Sequence, residues 1–108
     1  MQLYVDEEPV LWFGEGVAWE RHGTILRDYL LQREIPFDTQ TIGVDSGAVE
    51  IPLREGDRYR LVGAGFGLVL PDETFGVFRD RSADYNVTID PKHLSEIGEL
   101  FPAWTLSG

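Results

Sequence analysis

Apolar and polar positions follow two different rhythms along this chain. Gln2–Val5 and Val10–Phe13 are short apolar runs either side of "DEEP", four turn-forming residues. They read as a hairpin or as two separate edge strands, and Gly14 and Gly16 then break the pattern. Val17–Ile35 has helical spacing, with Ala18, His22, Ile25, Leu26, Tyr29 and Leu30 on one face and Arg21, Arg27, Asp28 and Arg33 elsewhere. Gly23 weakens its beginning, so the pattern allows a regular helix starting only at Thr24, a good N-cap. Pro36 is the expected stop, because the residue before a proline avoids helical angles.

From Phe37 the period becomes two. Phe37–Ile42, Ala48–Leu53, Arg58–Val62, Phe66–Leu70 and Thr74–Phe78 read as strands, separated by "VDSGA", "REGD" and "PDE". Loops this short predict antiparallel neighbours, hence a meander. Arg79–Ile89 reads as a loop with a short strand at its end. Asp90-Pro91 opens a second helix, with Asp as cap and Pro in the first turn. Leu94, Ile97 and Phe101 give its apolar stripe, Pro102 ends it, and Ala103–Leu106 returns as an edge strand. The expected class is α+β: a single domain over residues 1–108, with an antiparallel meander sheet packed by two helices.

The glycines of "VGAGFG" (Val62–Gly67) resemble a phosphate loop until their context is read. A dinucleotide fingerprint needs a helix directly after the turn, and a P-loop needs Lys followed by Ser or Thr. Here "FGLVLPDETF" follows, which is strand and turn. Glycine at alternate positions bares one sheet face instead, which suits a bulge, a sharp twist or a close approach.

Composition narrows the classes of function. The chain has 108 residues, no cysteine and a net charge of −10. Disulfides, thiolate metal sites and a cysteine nucleophile are excluded. The charge opposes direct nucleic-acid binding and an anionic membrane surface, and it favours a protein partner with a basic surface. Solubility alone also accounts for an acidic surface. No apolar run approaches the roughly 20 residues of a membrane span, and the beginning lacks a secretory pattern, so the expected location is cytoplasmic.

Residues 1–20 hold Asp6, Glu7, Glu8, Glu15 and Glu20 and no base. Eight of the nine bases are Arg, a planar fork suited to carboxylate or phosphate. Arg58 and Arg60 lie two apart on one strand face, as do Arg79 and Arg81 if their strand extends that far; cross-strand ion pairing is the plainer account. His22 is the leading titratable candidate, although it sits on the apolar helix face, where histidines are commonly structural. Two distant histidines and scattered carboxylates form no metal pattern, so neither a metal nor a cofactor is expected. Trp12, Trp19 and Trp104 read as core or rim aromatics, and an exposed one would be an interface anchor.

The second half resembles the phosphohistidine phosphatase (Janus-like) family in its order of features. These are a glycine stretch, two strands, "RDRSADYN", a helix and "LFPAWTL". Gly63, Gly65, Ser82, Tyr85, Phe101 and Trp104 match that order, and "AWERHG" (Ala18–Gly23) is similar to the family segment with the catalytic histidine. The resemblance implies His22 as base or nucleophile, with Arg79, Arg81, Ser82 and Ala83 holding phosphate. It departs from the family at Phe66, where an Arg follows the family's glycines, and at Asn86, which replaces a loop glycine.

The sequence therefore favours a small acidic, non-enzymatic interaction protein that inhibits or bridges a protein partner. An immunity or anti-defence protein, or a mimic of nucleic-acid charge, is of this kind. Asp6, Glu7, Glu8, Trp12 and Glu15 are its expected contact region. A phosphohistidine phosphatase-like hydrolase is the alternative, and a small-ligand binder using the glycine-bared face is a third.

Overall fold

The computed structural model describes residues 1–14, 21–44, 47–69 and 75–108. Its α+β class agrees with the periodicity: among the described residues, two helices lie among short, mostly antiparallel strands. Among the described residues, however, the strands do not join in one continuous meander. They form two three-stranded sheets and two hairpins.

The first sheet has the order β2-β1-β5, from β1 (Gln2–Val5), β2 (Glu8–Leu11) and β5 (Tyr59–Gly63). β1 and β2 are a hairpin, with Val5 opposite Glu8. Its two-residue turn places Asp6 and Glu7 at φ 49° and 69°, the left-handed region that tight hairpin turns require. Pro9, lacking an N–H, is tolerated because β2 is an edge. Leu3 and Leu61 face each other in this sheet and are fully buried. β3 (Thr39–Val44) and β4 (Gly47–Pro52) form a separate hairpin. The chain leaves β4 without pairing β5 to it, and the meander breaks there.

α1 (His22–Gln32) starts before Thr24, with Arg21 at its N-cap. The predicted residues 17–20, with Ala18, lie outside the described residues. Leu26, Tyr29 and Leu30 are buried as expected. The helix stops ahead of Pro36 because Glu34 turns left-handed, at φ 56°. Ile35 N–H then donates to Leu30 O at 2.9 Å and Glu34 N–H to Leu31 O at 3.2 Å, closing a Schellman cap. Gly23 is a contact point here: a Cβ on it would lie 2.7 Å from Ile51 Cβ on β4.

The second sheet has the order β10-β7-β6. β6 (Phe66–Val69) and β7 (Phe75–Arg79) are antiparallel, and β10 (Thr105–Ser107) is parallel to β7. Between them run the small hairpin of β8 (Arg81–Ser82) and β9 (Val87–Thr88), then α2 (Pro91–Leu100). α2 follows the sequence closely. Asp90 accepts from the backbone of Lys92 and His93, Pro91 opens the first turn, and Leu94 and Ile97 are buried. Phe101 departs from the expected stripe, being the exposed C-cap.

A buried polar clamp joins α2 to the first sheet. The Gln2 carboxamide accepts from Asp90 N–H at 2.7 Å and donates to Asp90 O at 2.8 Å. The His93 ring is fully buried, with Nε2 2.8 Å from Leu3 O and Nδ1 3.3 Å from Gln2 Nε2. These contacts fix the neutral tautomer, with Nε2 donating to the carbonyl and Nδ1 accepting from the amide. Burial is the main cause lowering the His93 pKa.

Candidate interaction surface

Both helix N-termini converge on the glycine stretch. Gly63 leaves room for the Gln2 clamp: a Cβ there would strike Gln2 Oε1 and lie 2.8 Å from Thr88 O. Gly65 offers its carbonyl to His22 Nε2 at 3.1 Å, and a Cβ on it would strike Arg79 O. Strand β6, not a helix, follows. Each converging helix end already has a carboxylate. Asp84 Oδ2 accepts Gly23 N–H at 3.1 Å on α1, and Asp90 Oδ1 accepts the N–H groups of Lys92 and His93 at 2.9 and 3.2 Å on α2. Anions stabilise helix N-termini, and these two positions are filled by the chain itself.

His22 is half-buried at the first position of α1, beside Phe66 with ring centroids 5.9 Å apart. It lines a cavity of about 270 Å³, which no Lys or Arg lines among the described residues. Arg79 and Arg81 are exposed but not on one continuous strand, because Asp80 between them turns to φ 71°. Arg81 donates to Asn86 Oδ1. Ser82 is fully buried, and its Oγ accepts Tyr85 N–H at 3.3 Å. Tyr85 in turn donates to Pro52 O at 3.0 Å, so this loop is held inward. Ala83 is exposed. Asp84 pairs with Arg21 at 2.7 Å. Arg58 and Arg60 belong to the other sheet: Arg58 pairs with Asp6 at 2.8 Å, and Arg60 lies over the Tyr4 ring at 4.9 Å. Among the described residues, no group of three His, Asp or Glu is placed to hold a metal ion.

The structure separates the acidic residues expected at the contact region from its tryptophan. Asp6, Glu7 and Glu8 are exposed at the turn end of the first hairpin. The Arg58 guanidinium grips both Asp6 oxygens, at 3.0 and 2.8 Å, and holds its pKa below the usual carboxylate range. Trp12 is at the opposite end, roughly 14 Å along the strand at about 3.4 Å per residue from Glu8. It is half-buried against Tyr29, with centroids 4.9 Å apart, and Arg33 covers both rings. Glu15 and Trp19 lie outside the described residues.

An apolar surface, unforeseen from the sequence, occupies the other side. Phe13 stacks on Phe78 with centroids 5.9 Å apart and is 45% exposed. On one side of it is the cavity bordered by Trp12, His22, Phe66, Gly67 and Phe78. On the other is a hollow of about 200 Å³ bordered by Leu11, Phe13, Ile97, Phe101, Trp104 and Leu106. Leu11 and Phe13 belong to both, so the two are continuous. Phe66, Leu68 and Phe101 are 50%, 68% and 53% exposed. One signal was present: β6 has apolar or glycine residues at all its positions, so neither of its faces is polar. In a half-buried strand one face should be polar.

No family model, curated protein or solved structure matches this chain. No helix among the described residues is long and apolar enough to cross a membrane.

Proposed function

We propose that this protein is a non-catalytic interaction module, and that its contact region is the apolar surface from Phe66 past Phe13 to Trp104. The partner is a protein with a basic surface, which the module blocks or bridges. The observation that carries this reading is the exposed, continuous apolar surface around Phe13. Contiguous exposed apolar area rimmed by polar residues marks interaction sites, and half-exposed aromatics serve as anchors. The net charge of −10 supplies the long-range attraction, and the aromatics hold the complex.

The phosphohistidine phosphatase-like alternative rests on His22 at the cavity wall. It is the weaker reading because Asp84 and Asp90 fill the helix ends and, among the described residues, no Lys or Arg lines the cavity. One pair of measurements separates the two. Co-purification from the native host should retain a basic protein on wild type, and lose it with Phe13→Ser and at high salt. Phosphate release from a phosphohistidine peptide should be absent in wild type and in His22→Ala alike. Release that disappears with His22→Ala would establish the hydrolase instead.

A further inference from the structure

We infer that β6 receives an extended, basic segment of the partner as an added strand. This rests on the interaction-module reading and specifies how the partner is held. β6 is an outer strand of its sheet, and its far side has no paired strand among the described residues. Phe66 and Leu68 are two apart and exposed, hence on one face. A strand laid alongside would complete the backbone ladder and set its own alternate side chains beside these two.

Two other edges, β2 and β4, are protected against such pairing and β6 is not. β2 carries Glu8 and Pro9, and β4 carries Glu50 and Pro52. Charges and prolines are the usual means of blunting an exposed edge. Phe-Gly-Leu-Val has neither. The aromatic cavity opens at the beginning of this strand, between Phe13, His22, Phe66 and Phe78, and can take one side chain of the added segment.

Charge decides the occupant. A second copy of the chain would bring another net charge of −10 to the same edge. A basic segment is attracted instead. The added segment is therefore one in which apolar residues alternate with Lys or Arg.

A random-peptide display library selected on the wild-type protein, with counter-selection on Leu68→Lys, tests this. Leu68 is mostly exposed, and circular dichroism of the variant verifies its fold. Enriched sequences should alternate apolar and basic residues. They should slow hydrogen exchange at the amides of 66–69 and bind Leu68→Lys about tenfold or more weakly, as expected where a charge blocks an edge. Enriched peptides with helical spacing, or protection confined to α2 and β10, would overturn strand addition and leave the interaction module standing. No enrichment at all would overturn both. Self-association of wild type that Leu68→Lys abolishes would give the edge to a second copy, and overturn the basic segment.

Discussion

The sheet of β1, β2 and β5 and the sheet of β6, β7 and β10 each have three strands, and they place their apolar residues oppositely. In the first, Leu3, Tyr59 and Leu61 point into the core beneath α1, and Gln2 and His93 are sealed in a satisfied polar clamp. In the second, Phe66 and Leu68 stand in solvent while Phe78 is covered by Phe13. The first sheet's edge carries Glu8 and Pro9, and the second sheet's β6 edge is bare. Apolar residues that the core does not use, on an edge with no protection, are what the proposed strand addition would employ.

Several measurements would break or sharpen this contrast. Leu61→Ala removes a fully buried side chain from the first sheet and should lower stability by about 2–5 kcal/mol in urea unfolding. A loss no greater than that of the equivalent change at Leu68 would erase the distinction. Gly63→Ala drives a methyl into the Gln2 clamp and should cost about 1–3 kcal/mol.

The clamp also has a pH signature. His93 is held neutral in the folded protein by burial, which outweighs the opposing hydrogen bond to Leu3 O and the charges of Asp90 and Glu96. Tyr4, packed edge-on against the ring, donates to Glu96, and its pKa is pushed up to about 12. The unfolded chain takes up the proton near its ordinary value of 6.5, so the unfolded state binds more protons below that pH. This contribution is complete above about pH 6.5 and is lost as pH falls toward the lowered folded value. The thermal midpoint should therefore drop on acidification, with a shallower slope for His93→Gln, and an equal slope in both would remove His93 from the account.

Smaller effects are expected where space is open. Gly98→Ala on α2 meets nothing within 4 Å and should stabilise by up to about 1 kcal/mol. Leu68→Ser should change stability by only about 0.5 kcal/mol.

What could be read from the sequence was local. The cap and first turn at Asp90-Pro91, the buried Leu94 and Ile97, and the turn at Asp6-Glu7 depend on neighbouring residues, whereas a hairpin and two separate edge strands fit the first runs equally until β1 is seen to pair with β2. The absence of a helix pattern after the glycine stretch leaves a bulge, a twist or a close approach, and the structure shows close approach at Gly63 and Gly65. Pairing was not legible. β5 joins β1 through contacts nearly sixty residues apart, such as Leu3 opposite Leu61, and periodicity does not encode partners. The early stop of α1 was hidden because Glu34 adopts a conformation usually left to glycine. Charge is visible in sequence, so the expected contact region follows the acidic residues Asp6, Glu7, Glu8 and Glu15 together with Trp12. The exposure of Phe13, Phe66 and Leu68 depends on which strands become edges, and only the topology decides that.

The most direct test is the affinity of a synthetic peptide of alternating Val and Lys for wild type and for Leu68→Lys. If β6 is the docking edge, the variant binds about tenfold or more weakly with its circular dichroism unchanged. Equal affinity for the two proteins would contradict it.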